Sequence, residues 1–278
     1  MDTLKDCGNV IFEEKGGLKY LRFRNLDKYC NIITHCFTTR IGGVSTGECS
    51  ALNFGFNRND TKENVKENFR RLCSVLNIDI NNLVLSNQVH GNKVKVVCER
   101  DRGKGISRKS DIVGYDALIT NKKKVPIVTF YADCVPVLLF DSEKTVIGTA
   151  HSGWRGTALE VAGEAIRSMI ENFGSSPDDI EAVIGPSIGK CCFETGEEVY
   201  NHFRERINWS ESFCTKAGNG KWYIDLQRII KNSLLNMGLS EHKILVSNIC
   251  TKCNKHLFFS HRGDCGKTGC MAAVMQIN

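Results

Sequence analysis

The chain has 278 residues, 41% hydrophobic and 24% charged, with 37 Lys and Arg set against 31 Asp and Glu. This balance supports a packed core and excludes wholesale disorder, and no run of about 18 apolar residues is present to cross a membrane. The net charge of +6 suits a phosphate-bearing small partner, but its densest clusters, Arg100 to Lys109 and Lys122 to Lys124, lack the interleaved aromatics of a nucleic-acid surface.

In chain order, the opening stretch MDTLKDCGNVIFEEKGG mixes Asp, Glu and Lys and has no apolar leader segment. Together with fourteen cysteines, this predicts a reducing, cytoplasmic setting in which thiols or metal ligands prevail over disulfides. Short strands are expected at Val10 to Phe12, Leu18 to Phe23 and Ile32 to Thr38. Asp60-Thr-Lys-Glu63 has the pattern of a capping box, with Asp60 as N-cap, and Val65, Phe69, Leu72, Cys73 and Leu76 behind it fall at helical spacing. Further strands are expected at Leu83 to Val89 and Val94 to Val97 around a Gly91-Asn92 turn, then at Val125 to Tyr131, Val135 to Phe140 and Thr145 to Ala150. A helix from about Thr157 to Phe173 ends at Gly174, which suits a C′ position. A strand at Ile180 to Ile184 and helices near Glu194 to Phe203 and Asp225 to Met237 follow. Strands at Ile244 to Ile249 and Met271 to Ile277 close the chain. Hairpin-linked strands without strict βαβ alternation predict an α+β fold with mixed sheets, and the absence of a composition shift predicts a single domain over residues 1–278.

The segment ADCVPVLLFDSEKTVIGTAHSGWRG carries the chemistry. If Asp141 to Lys144 form a four-residue loop, Phe140 faces Thr145 and Cys134 directly faces His151, close enough to share a metal or for the histidine to deprotonate the thiol. The same spacing also describes a buried cysteine beside a hydrogen-bonded turn histidine. His90, in SNQVHGNKV, sits at another strand end. Cys134 with His90 and His151 would leave a tetrahedral zinc one open position, the arrangement of a catalytic site. Arg155 follows within HSGWRG, where the strand gives way to a helix, and offers a fork of donors for phosphate or carboxylate.

The ordered motifs FTTRIGGVSTG, SNQVHG, DALIT, ADCVPVLLFD, GTAHSGWRGT, IGPSIGKCCFETG, CTKC and FFSHRGD closely resemble the polyphenol oxidase or laccase-domain family, whose members are also called peptidoglycan editing factors. The resemblance runs from about Phe37 to Ile277. It implies a four-layer α/β/β/α fold and a zinc held by His90, Cys134 and His151. The activity it implies is phosphorolysis of adenosine, inosine, guanosine and methylthioadenosine to base and ribose 1-phosphate, with adenosine deamination as a second reaction. Purine nucleosides and phosphate are then the partners, with no nucleic acid or membrane, and the chain acts as a monomer or homodimer. One cysteine and two histidines do not make the several copper sites of a laccase, so copper is the lesser alternative to zinc. The zinc-deaminase signature His-x-Glu with Pro-Cys-x-x-Cys is also absent.

Arg40, in the glycine-rich TTRIGGVSTG, joins Arg155 as a candidate for the phosphate, and His261 in FFSHRGD is a candidate substrate contact. Asp133 is a candidate partner for a ligand histidine, although as a strand neighbour of Cys134 it should point the other way. The competing reading is a thiol hydrolase acting on peptidoglycan precursors, with Cys134 as nucleophile and His151 as base. Where the family tail reads FFSHRRDGGKTGR, this chain has Gly263 and Cys270 in place of two arginines. Cys250, Cys253, Cys265 and Cys270 have the spacing C-x2-C-x11-C-x4-C, which resembles a zinc ribbon, but ordinary thiols are the expectation. Adjacent Cys191 and Cys192 should point apart in extended chain and so should not share a ligand role.

Overall fold

In the computed structural model, residues 8–278 are described, and the leader reading falls partly on residues 1–7, outside them. The chain opens with β1 (Val10–Lys15) and β2 (Leu18–Phe23), a short α1 (Arg24–Asp27) and β3 (Ile33–Thr38). After a long loop come α2 (Lys62–Leu76), β4 (Val84–Leu85), β5 (Val94–Val96), β6 (Ala117–Thr120) and β7 (Ile127–Tyr131). The central hairpin is β8 (Val135–Asp141) with β9 (Val146–Ser152), followed by α3 (Trp154–Ala158) and α4 (Val161–Phe173). Then come β10 (Ile180–Ile184), β11 (Glu194–Gly196), α5 (Glu197–Arg206), β12 (Cys214–Gly218), β13 (Lys221–Ile224) and α6 (Leu226–Asn236), with β14 (Ile244–Val246) and β15 (Met271–Ile277) last.

The architecture is mixed α/β with three sheets. One six-stranded sheet has the order β1-β2-β3-β15-β7-β4, the other β14-β10-β8-β9-β6-β5, and β11-β13-β12 form a small third sheet. Both large sheets combine parallel and antiparallel pairs. Their order follows from burial. In β15, Met271, Ala273, Met275 and Ile277 enter a core shared with Leu138, Phe140, Ile147 and Val183 of the second sheet, so the two sheets pack face to face. The alternate residues Ala272 and Val274 face Val65, Phe69 and Leu72 of α2 on the other side. In β8, Val135, Val137 and Leu139 meet Ala165 and Ile166 of α4 and Ile229 and Ile230 of α6. Strands covered on both faces have no solvent side, which is why these runs are apolar throughout rather than alternating.

Several local expectations are corrected. The N-cap of α2 is Thr61, whose hydroxyl accepts from the Asn64 N–H, while Asp60 accepts from the Thr61 N–H and the Asn64 side chain. The helix expected from Thr157 is broken at Glu160, which takes a left-handed φ of 54° and begins α4 afresh. Glu194 begins a strand rather than a helix, because it pairs with Tyr223 in the third sheet, a sheet the sequence patterning does not reveal. Strand β4 is confined to Val84–Leu85, and β6 at Ala117–Thr120 lies in a stretch where no strand was expected.

Phe140 is fully buried between the sheets, with the Tyr29 ring edge-on at 5.0 Å. Phe140→Ala should lower unfolding stability by about 3–5 kcal/mol, read as a shift in the urea midpoint.

Candidate active site and metal centre

The β8–β9 register differs from the expected one. Asp141 pairs with Val146 and Pro136 with His151, so the loop is residues 142–145, one residue later than predicted. Asp141 stays in the strand because its Oδ1 accepts from the Glu143 and Lys144 N–H groups, each at 2.9 Å, which caps the turn from within. Moving the loop by one residue shifts each pairing by two. Cys134 therefore remains on the face of His151, as its diagonal rather than direct neighbour.

Cys134 lies just before β8, after Asp133, whose φ of 83° turns the chain into the strand. His90 also has positive φ, 62°, in the loop between β4 and β5. Gly153 caps α3, and a Cβ there would come within 2.8 Å of His90 Cδ2 and 2.9 Å of Cys134 Sγ, so only glycine leaves the two ligands room. The ligand atoms of His90, Cys134 and His151 all lie within 4.8 Å of one another, with the two imidazoles edge-on and 4.9 Å apart. Two imidazoles and one sulfur are a donor set that suits zinc.

The residue that organises this cluster carried no role in the sequence reading. Asp116, fully buried, accepts from the backbone N–H groups of Val89, His90 and Gly91 at 3.1, 2.9 and 2.8 Å, and its Oδ1 meets His151 Nδ1 at 2.8 Å. Holding Nδ1 leaves Nε2 of His151 to face a metal. The orienting role proposed for Asp133 therefore belongs to Asp116. Asp133 instead accepts from Thr251 Oγ1 and the Arg262 N–H, each at 2.6 Å, and anchors two distant loops behind Cys134.

The electrostatics of the metal-free cluster follow from these contacts. Burial opposes the Cys134 thiolate, but the charge on His151 and hydrogen bonds from His151 and His90 outweigh it and bring the thiol down from 9.0 to about 6. Burial likewise opposes the His151 cation, and the Cys134 thiolate with the Asp116 carboxylate raises it from 6.5 to about 9. For Asp116, burial is outweighed by His151 and the loop N–H groups, so its carboxyl lies below its ordinary value. The contribution of the depressed thiol to stability is lost as pH falls through about 6, and that of the raised imidazole as pH rises through about 9.

A cavity of about 680 Å³ opens over the cluster, within the range of small-molecule sites. Phe56 and Phe130 supply aromatic walls, and Arg58, Lys62 and Lys66 bring three cations. Gln88 is locked to the Phe130 backbone by donating at 2.8 Å and accepting at 2.7 Å. The candidate anion residues from the sequence are not among those lining this cavity. The Arg40 guanidinium donates to the carbonyls of Ser50 and Lys255 and lies over the Phe259 ring. Arg155 is exposed and stacks on Trp154 at 4.2 Å, and His261 is exposed. Cys270 does line the cavity, with Arg58 Nε donating to its sulfur at 3.1 Å, so this departure from the family tail falls inside the site. Gly263 sits in a turn bonded to Ser260 and Lys255.

A mixed α/β fold with a two-histidine, one-cysteine cluster at the floor of a cationic cavity defines a class of candidate metalloenzymes. The pattern of the family described as multi-copper polyphenol oxidoreductase laccase matches residues 34–278, and the chain belongs to that family. It is 36% identical over 240 residues to the purine nucleoside phosphorylase YlmD of Bacillus subtilis, covering 86% of each chain. It is 34% identical over 193 residues to the adenosine deaminase RL5 of an unknown prokaryotic organism, covering 69% of this chain and 73% of that one. The crystal structure of YlmD from Geobacillus stearothermophilus superposes with a TM-score of 0.90 at 32% identity, over 97% of this chain and 99% of that one.

Two outcomes test the site. Asp116→Asn, which keeps the size but loses the charge, should weaken metal affinity about 10–100-fold by competition titration. In metal-free protein, alkylation of Cys134 by iodoacetamide, followed by peptide mass spectrometry, should fall about tenfold per pH unit below about 6, and metal should suppress it at every pH.

Proposed function

We propose that this chain is a single-domain, zinc-dependent purine nucleoside phosphorylase. Its substrates are adenosine, inosine, guanosine and methylthioadenosine with inorganic phosphate, and adenosine deamination is a second activity. The observation that carries the reading is the coexistence, in one cavity, of the His90–Cys134–His151 cluster with Arg58, Lys62 and Lys66. Relatives named purine nucleoside phosphorylase and adenosine deaminase support it.

His90, Cys134 and His151 would hold the zinc, and a bound zinc supplies Lewis acidity that polarises a donor atom or makes water nucleophilic near pH 7. Asp116 keeps the ligands oriented. The cations bind phosphate and draw it to the sugar, where its oxygen bonds to the anomeric carbon as the carbon–nitrogen bond to the base breaks. The electron pair leaves with the base nitrogen, which is then protonated. Phe56 and Phe130 offer flat apolar surfaces for a purine, and the amide of Gln88 fixes the position of Phe130. In this reading Arg58, which lines the cavity, is a candidate for the phosphate contact beside the expected Arg40. Copper oxidase chemistry is the weaker reading: among the described residues the only other group of metal-ligating side chains is four cysteines, with no further histidine cluster.

One observation supports a second reading. Cys134, His151 and Asp116 form a thiolate–imidazolium–carboxylate series, which in metal-free protein suits a thiol hydrolase. One experiment separates the two. Purified chain is incubated with inosine or adenosine, with and without phosphate, and the products and metal content are measured. Phosphate-dependent release of base with ribose 1-phosphate is expected. His90→Ala, Cys134→Ala and His151→Ala should each abolish it together with zinc binding at this cluster, and Arg58→Ala should raise the phosphate KM about ten- to a hundredfold. Metal-free protein that turns over no nucleoside would favour the hydrolase.

A further inference from the structure

The second thiol cluster differs from the one suggested by spacing. Cys265 is exposed and Cys270 belongs to the cavity, so the C-x2-C-x11-C-x4-C pattern does not close in space. Cys250 and Cys253 instead meet Cys191 and Cys192, and the four sulfurs all lie within 4.8 Å of one another. The adjacent pair faces one point because residues 189–193 are not extended. The Cys192 and Phe193 N–H groups both donate to the Gly189 carbonyl at 2.9 Å, and this turn brings both side chains to Cys253.

The distances are those of a metal cage. Cys191 Sγ and Cys192 Sγ lie 3.7 and 3.5 Å from Cys253 Sγ. A tetrahedron with metal–sulfur bonds of about 2.3 Å has edges of about 3.8 Å, whereas a disulfide needs sulfurs about 2.05 Å apart. The backbone supports one thiolate independently. Cys250 Sγ accepts from the Gly189 N–H at 3.3 Å. A Cβ on Gly189 would meet Cys250 Cβ at 3.1 Å and Cys191 Sγ at 3.3 Å, so the two loops pack closely over this glycine. We propose that Cys191, Cys192, Cys250 and Cys253 bind a second zinc ion as a closed, four-thiolate structural site that clamps loop 185–193 to loop 249–254.

The clamp has a mechanical target. The two loops already touch at the Ser187–Cys250 bridge, and both are tied to Asp133: the Ile188 N–H donates to its carbonyl and Thr251 Oγ1 to its carboxylate. Asp133 immediately precedes Cys134. A zinc that fixes both loops therefore holds the chain on which the Cys134 ligand is mounted, and with all four positions filled by sulfur it leaves no place for substrate.

The test counts zinc per full-length chain by mass spectrometry after purification under reducing conditions. The Cys191→Ser/Cys253→Ser double variant should hold one zinc per chain fewer than wild type. Cys134→Ala should keep the ion that the double variant loses. Should the double variant fail to fold, the Cys134→Ala chain loaded with cobalt gives a second readout: the intense visible bands and sulfur-to-cobalt charge transfer of a tetrahedral tetrathiolate are expected. Equal zinc in wild type and the double variant, iron in place of zinc, or a six-coordinate cobalt spectrum would overturn the proposal.

Discussion

One buried carboxylate holds the site together. Asp116 is fully buried yet charged, and an isolated carboxylate in that position would cost several kcal/mol. It persists because three consecutive N–H groups from residues 89–91 and the His151 ring converge on it. The same contacts hold the His90 loop in its left-handed conformation and set the His151 tautomer. Two candidate ligands from distant segments are thus aligned by a single side chain. The Tyr131 ring, packed against His151 and bonded to the Ala150 carbonyl, closes the other side.

Cys134 is half-buried beside two imidazoles, whose charge and hydrogen bonds outweigh burial and lower its thiol. Without metal, proton transfer to His151 stabilises both charges in a setting that would otherwise raise the thiol. With metal, the same deprotonated sulfur is the ligand that zinc requires. The geometry is common to a metal centre and a thiol nucleophile, and the cationic cavity with its aromatic walls favours a phosphate-using nucleoside enzyme. Among the described residues the groups able to hold a metal are one of two histidines and a cysteine and one of four cysteines.

Loops held from a distance are a recurring feature. Asp133 bonds to residues 251 and 262, more than a hundred positions away. Arg40 uses its guanidinium on two backbone carbonyls from separate segments. Both residues look like site chemistry in a linear reading, and in the fold each also ties separate loops together. Residues close to a ligand in sequence are readily mistaken for its partners, because a strand sends neighbouring side chains to opposite faces.

The sequence by itself determined the main strands and helices, whose apolar periodicity is local, the family, and the Cys134–His151 pairing, which survives a shifted loop because a two-residue change in register preserves the face. His90 was legible as a strand-end histidine within a motif. Tertiary structure alone decided the third sheet, in which Glu194–Gly196 and Cys214–Gly218 are too short and polar to signal strands although Lys221–Ile224 carries Trp, Tyr and Ile, and the break at Glu160. It also decided the role of Asp116, visible in sequence only as the first letter of DALIT. The partners of Cys250 and Cys253 lie about sixty residues upstream rather than downstream. Spacing reports which side chains share a face of one element, whereas convergence of distant loops on one point depends on how the sheets pack, and no linear pattern records that.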